Sequence, residues 1–315
     1  MSKTAKIILI VALAMLPVGI VLAVLGLRFG GRSGFGLDVA NMNYVDRTNM
    51  IEETVDLEEF DSLRMDITSA DVIFTTGDSC RVHYRVQEDR VPEITQNGSS
   101  VSITQPLKSS FFMGFGYQES DRFEITVPAG NPDVQLAIAA TSGDIMISKV
   151  GVSGEIKLTS GDIELRDFDG DALNIGSTSG NVNASGVNLN ALTLKSQSCD
   201  SLIENGKIGN LSIERTSGEV VCNGLEAKEI YAKSTSGDVD LYDVKADRIE
   251  CRLTSGEVNL VLNGSEEEYD FDLSVTSGDI EINGSEKEDN YVKEAGGDRK
   301  VTAKATSGDI NILFK

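Results

Sequence analysis

Thr141-Ser142-Gly143-Asp144-Ile145 decides the fold, because the chain writes it repeatedly. Thr-Ser-Gly, then Asp, Glu or Asn, then Ile or Val, returns from Thr159, Thr178, Thr216, Thr235, Thr254, Thr276 and Thr306. A degenerate copy, Ser198-Cys199-Asp200-Ser201-Leu202, fills the gap between Thr178 and Thr216. The starts are then 18, 19, 20, 18, 19, 19, 22 and 30 residues apart. A period near nineteen signals stacked copies of one small unit.

Around each motif the apolar residues alternate. Leu173/Ile175 and Ile249/Cys251 stand five and three residues before their Thr, while Ile163/Leu165 and Val258/Leu260 stand four and six after. Polar residues such as Glu164 and Glu250 lie between them. Period two means two short half-buried strands per repeat. The Thr-Ser-Gly between them is a corner, with Gly143, Gly161, Gly180, Gly218, Gly237, Gly256, Gly278 and Gly308 supplying a backbone conformation that other residues resist. Such a unit cannot bury its apolar face alone, but stacked in parallel it can. The expected fold is all-β: a parallel β-solenoid (β-helix) of about nine coils, roughly 43 Å long at ~4.8 Å per coil. Right-handed winding is expected, as in ~98% of parallel crossovers.

Before the repeats, residues 1–27 read as a cytoplasmic end and a transmembrane helix. Lys3 and Lys6 precede an apolar run from Ile7 to Leu27, long enough for a hydrocarbon core of ~30 Å. The alternative is a cleaved signal peptide. The lipid bilayer is thus an expected partner through residues 7–27, with the body outside a bacterial cell membrane. Residues 28–45 form a Gly-bearing tether. Residues 46–133 read as an irregular β capping region for the first coil, since an open solenoid end recruits other chains. Within it, Phe111 to Tyr117 holds four aromatics and a Met, either a plug for the core or an exposed contact patch. Residues 134–315 are the repeats. Two acidic insertions, Asn263–Tyr269 and Asn283–Gly297, are expected as surface loops on one side.

The formal charge is −22. Residues 1–32 carry four basic side chains and no acidic one, so the remainder stands at −26. Such a body repels nucleic acid, which excludes that class of partner. Cys80, Cys199, Cys222 and Cys251 match no metal spacing and read as small core residues, with Cys199 in place of a corner Ser. The residues three after each Thr form an acidic file: Asp144, Asp162, Asn181, Ser201, Glu219, Asp238, Glu257, Asp279 and Asp309. Carboxylates ~4.8 Å apart repel by ~1 kcal/mol in water. The file is therefore solvated, with Asp also bonding corner amides. The competing reading is weak calcium binding by Asp144, Asp162, Asp238 and Asp279. The single histidine, His83, falls outside the repeats, and no base stands beside a corner Ser. No catalytic set, cofactor motif or phosphate loop emerges.

The N-terminal span, the segment Phe60-Asp61-Ser62-Leu63-Arg64-Met65-Asp66-Ile67-Thr68-Ser69-Ala70-Asp71-Val72, and the reiterated corners resemble the bacterial putative adhesin family of membrane-associated β-strand-repeat domains of unknown function. The resemblance covers about residues 50–315 and implies a surface-exposed rod. It brings no catalytic or ligand residues with it. The expected function is a non-catalytic cell-surface module, adhesin-like or structural, whose partner is a cell-envelope protein or surface ligand. The alternatives are an accessory protein of an envelope-stress or signalling system, and a polysaccharide-acting enzyme.

Overall fold

The computed structural model describes residues 49–106, 120–130, 133–294 and 296–315, with the backbone of strands Phe35–Asp38 and Asn43–Asp46. The span expected at 7–27 and the aromatic stretch 111–117 lie outside the described residues. Among the described residues no helix is long and apolar enough to cross a membrane. The chain divides into two compact units. The smaller contains the antiparallel pair Phe35–Asp38 and Asn43–Asp46. The larger, Ile51–Val86, Arg90–Leu107 and Ser120–Lys315, holds the repeats.

Every repeat folds the same way. In the Thr141 coil, Val134–Ser142 alternates buried and exposed residues, the corner turns, and Ile145–Ser148 alternates again. The next coil lies alongside in parallel register, Ile138 beside Ile156 and Ile145 beside Ile163. The long strands build one sheet, the short ones a second, and the inward aliphatic columns form a single core.

The corner glycines answer two demands at once. Gly237 has φ +117, a region that an L side chain enters only under strain. A Cβ there would also lie 1.8 Å from the carbonyl oxygen of Gly218, the equivalent residue one coil away. Ala70 and Cys199 fill the same corner position without entering positive φ. The second corner has its own rule. Lys149, Asp167, Gly186, Asn205, Gly224 and Asp243 occupy equivalent places with φ between 51 and 65°. Asp, Asn and Gly tolerate that conformation; Lys does so at a cost of ~1 kcal/mol. Lys149→Asn is expected to raise stability by about 0.5–1 kcal/mol, read as a higher denaturant midpoint. An unchanged midpoint would show that this corner relaxes around Lys.

Three expectations change. First, the stack is longer. Named by corner, the coils run Gln105, Thr68, Thr141, Thr159, Thr178, Gln197, Thr216, Thr235, Thr254, Thr306, Thr276, eleven among the described residues instead of about nine. The region 46–133 is thus only partly an irregular cap. Ser62–Ser69 with Asp71–Gly77, and Ser100–Thr104 with Arg122–Pro128, are regular coils. Capping falls to the antiparallel strands Glu93–Asn97 and Arg81–Gln87.

Second, the last repeat is not the last coil. Arg299–Ser307 lies between the Thr254 strand and Tyr269–Ser277, and Ile310–Phe314 lies between Val258–Leu262 and Ile280–Ile282. The late insertions accomplish this. Residues 263–268 let the chain climb two coils at once. The segment after Ile282 contributes antiparallel edge strands, Ser285–Lys287 and Asn290–Lys293, before the chain returns beneath. They are therefore more than surface loops: both ends of the stack finish in antiparallel strands, which cover bare parallel edges.

Third, the degenerate repeat begins one residue earlier than its Ser-Cys-Asp suggests. Ser198 pairs with Ser179 and Ser217, so Gln197 stands at the Thr position, Cys199 at the Gly position and Asp200 in the acidic file. Ser201 turns inward, 3% exposed, in a column of Val and Ile. Cys199 therefore replaces a corner Gly, not a corner Ser.

Candidate functional site

The Asp file is a ladder of side chain to backbone bonds. The amide of Asp144 donates to Asp71 Oδ1 (3.0 Å), that of Asp162 to Asp144 (2.9 Å), and that of Asn181 to Asp162 (2.8 Å). Beyond the Gln197 coil, Glu219 donates to Asp200, Glu257 to Asp238 and Asp279 to Asp309 in the same way. The direction follows the stack and not the sequence, since Asp309 serves Asp279. Each such Asp binds the corner amide of the next coil, which offsets repulsion along the file. Of the four residues considered for calcium, Asp144, Asp162 and Asp238 commit one oxygen to this ladder, while Asp279 stands in the terminal coil. Among the described residues no group of three or more acidic, His or Cys side chains is placed to hold a metal ion. His83 lies on the edge strand Arg81–Gln87, 3.0 Å from the Thr54 hydroxyl and 3.4 Å from Glu52.

In the coil of Ser100–Thr104 and Arg122–Pro128, Gln105 and Asp121 take over. Gln105 Oε1 accepts from the amides of Thr68 and Ser69, and its Nε2 donates to Asp121 Oδ2 at 2.8 Å. Arg90 reaches the same Asp121 oxygen at 3.2 Å. These buried groups satisfy one another, as a low-dielectric site requires.

Sequence reading missed one rung. The position one before Thr faces inward and is filled by Ile67, Leu158, Leu253 and Val275 or by Ser177, Ser196 and Ser234, but by Arg215 in the Thr216 coil. Arg215 is 6% exposed, between Ser196 and Ser234. Its Nη1 donates to the Cys199 carbonyl (3.4 Å) and its Nη2 to the Asp238 carbonyl (2.7 Å), clamping corners on either side of its own. Its Nε has no partner. Burial pulls its pKa down to about 10, with Asp200 the first of the acids that oppose this, so it stays charged at neutral pH. All four cysteines are free and buried, and burial pushes Cys222 and Cys251 up to about 12.

Beside Arg215, Glu219 and Asp240 share a side-chain hydrogen bond. That bond raises the Glu219 pKa first, then burial, then the charges of Asp240, Asp200 and Asp238. A carboxyl raised in the folded state favours its protonated form there. Its stabilising contribution is present below the usual Glu range and is lost as pH climbs through the raised value. Glu219→Gln is therefore expected to raise the melting temperature at pH 7 and to shrink the gain in stability that accompanies acidification toward pH 5. Equal melting curves for both proteins across that range would show that the pair carries no such linkage.

A groove of about 640 Å³ lies where the long strands leave the second corner, crossing the coils from Asp169 to Lys245. One wall is the file Asp169, Asn188, Lys207, Glu226, Lys245. Asn188 donates to Asp169 at 2.7 Å, and Glu226 lies 3.4 Å from both Lys207 and Lys245, which hold its carboxyl below the usual range. The other wall runs through Asn190, Gly209 and Lys228. None of these residues stood out in the sequence. Their only signal is that they are polar where the neighbouring column is Leu189, Ile208 and Ala227.

Residues 60–313 match the family described as Toastrack DUF4097. No curated protein matches the chain. Among solved structures, a putative adhesin from Bacteroides fragilis is similar at 14% identity, covering 85% of this chain and 98% of that one, with a TM-score of 0.41. A putative lipid binding protein from Parabacteroides distasonis is similar at 14% identity, covering 85% and 97%, with a TM-score of 0.43. A putative adhesin from Parabacteroides merdae is similar at 13% identity, with the same coverage and a TM-score of 0.42.

Proposed function

From the premise that this chain belongs to the Toastrack DUF4097 family, we propose that it is a non-catalytic module displayed outside a bacterial membrane, anchored through residues 7–27, where its solenoid serves adhesion. One observation carries this reading: outward side chains recur coil after coil at fixed spacing, as in the file from Asp169 to Lys245. Such a surface is adapted to extended ligands that also repeat, because one weak contact per coil becomes many. The anchor reading rests on the apolar run Ile7–Leu27 alone.

The test is retention on intact bacterial envelopes of cells displaying the full chain. Retention above that of cells without it is expected, and single changes such as Asp162→Asn should leave it unaltered. No retention, together with altered envelope-stress signalling on deletion of the gene, would replace adhesion with a regulatory role.

A further inference from the structure

We propose that the outer face of the short-strand sheet, from Leu202 to Leu313, docks a basic amphipathic helix of a partner protein. The inference goes beyond adhesion and does not rest on it. Four large apolar side chains are exposed among the described residues. Two of them, Tyr242 at 39% and Leu313 at 49%, stand here with the half-buried Val261 between them. The same outward row is polar in the preceding coils, where it holds Ser148, Arg166, Ser185, Glu204 and Asn223. Half-buried Leu202 and Val221 fill the adjoining outward row in the two coils before Tyr242. The apolar stripe therefore steps across five consecutive coils without a break.

Charge names the occupant. Asp240 borders the stripe and accepts from Asn259 at 2.8 Å, and Asn259 accepts from Asn311 at 3.0 Å. Asp238, Glu257 and Asp309 run in the next row out. Burial first, then the charges of Asp240 and Glu219, push the Tyr242 phenol up. From the Gln197 coil to the Thr276 coil, these three outward rows contain no basic side chain. The long-strand face differs: there Lys195 meets Glu214 at 3.4 Å and Lys304 meets Asp272 at 3.5 Å. An apolar stripe bordered by carboxylates without bases attracts a cationic partner. A second copy would bring the same acidic rows. A bilayer, being broad and flat, would desolvate the carboxylates together with the stripe.

Shape favours a helix over a strand. From Leu202 to Leu313 is four coil steps, about 19 Å, which about 13 residues of helix cover. The acidic rows lie ~7 and ~13 Å to one side of the Tyr242 row, since outward residues are two apart along each strand. A helix ~10–12 Å across, laid with its apolar side on the stripe, carries flanking Lys side chains over those rows. An extended segment would point its side chains alternately at the face and away from it, and its bases would miss the acids.

The full chain in phosphatidylcholine nanodiscs is titrated into a fluorescent Leu/Lys helix, about 14 residues long with its Leu on one face, and anisotropy is read against empty discs. Saturable binding is expected, weakening about tenfold as salt rises from about 50 to about 300 mM. The same helix with Glu for Lys, or with its Leu scattered around the axis, should not bind. Tyr242→Ser/Leu313→Ser changes two exposed side chains; it should keep its melting temperature and lose about tenfold in affinity. Glu257→Gln/Glu281→Gln should lose less and flatten the salt dependence, whereas Lys195→Ala/Lys304→Ala on the long-strand face should bind as before. The proposal is overturned if the basic helix does not bind, if either control helix binds equally, or if Tyr242→Ser/Leu313→Ser binds normally. Dimers in sedimentation that this variant dissolves would give the face to a second copy. Amide protection that Ile310–Phe314 gains in discs over detergent would give it to lipid, and either result also overturns the proposal. Because the probe is a soluble peptide, failure here leaves the outcome on intact envelopes untouched.

Discussion

Gly237→Ala is expected to cost about 3 kcal/mol or more, enough to unfold much of the population of a marginally stable chain. The left-handed backbone accounts for ~1–3 kcal/mol of it. The remainder comes from crowding that no rotamer relieves, because the added Cβ meets backbone, the Gly218 carbonyl oxygen at 1.8 Å. Relief requires the two coils to separate at the corner, and the ladder on both sides resists that. Gly176→Ala is the matched control. Its Cβ would meet Lys157 Cγ at 3.9 Å and the Ile156 oxygen at 4.0 Å, ordinary contacts. Removing a flexible residue from a strand should there add about 0.5–1 kcal/mol. The measurement is the denaturant midpoint of the two variants; equal effects would mean that corner stacking does not set the requirement for glycine.

Deleting residues 299–315 should have the second large effect, and a non-local one. In a stack that followed sequence order these residues would be the end coil, and their loss would trim the molecule. Here they pair on both sides. The deletion strips the Thr254 coil of its upper neighbour and the Thr276 coil of its lower one. It also removes Phe314, whose ring lies 5.2 Å from Tyr269 and 6.3 Å from Phe271. Amide protection over Tyr269–Ile282 is expected to fall about a thousand-fold, a loss of about 4 kcal/mol. The chain should also become prone to associate through the bare edge of the Thr254 coil. Protection retained in that segment would show that the Thr276 coil restacks on Thr254 and that the observed order is dispensable.

These effects divide what the residues announce from what they hide. Period-two apolar pairs and Gly-centred corners are local signals, so the coil, its two sheets and its inward columns were readable. The frame of the Gln197 coil was misread because the corner motif was matched on Ser-Cys-Asp. Leu192 and Leu194, five and three residues before Gln197, give the correct frame. The exchange of the last two coils left almost no mark, since every copy shares one register and any copy can stack on any other. Only the spacings of 22 and 30 hinted at extra chain to cross with. The second corner escaped because Lys, Asp, Asn and Gly all serve there and share a backbone conformation instead of a side-chain type. Arg215 is the one charged residue in an inward column of the repeats that otherwise holds aliphatic residues and Ser177, Ser196 and Ser234, but its role depends on carbonyls of Cys199 and Asp238 that only the stack brings near. The groove needs five coils side by side before it exists at all.

Paired cysteines test the stack most directly. Ser255 and Ser307 are lateral neighbours, and so are Ser277 and Ser307, about 4.8 Å apart, within the reach of a disulfide. Ser255 and Ser277 are separated by the intervening coil, about 10 Å. The native thiols are buried and should stay silent. Under mild oxidation, Ser255→Cys/Ser307→Cys should form an intramolecular disulfide, detected by peptide mass, and Ser255→Cys/Ser277→Cys should not. Cross-linking of the second pair and not the first would contradict the account.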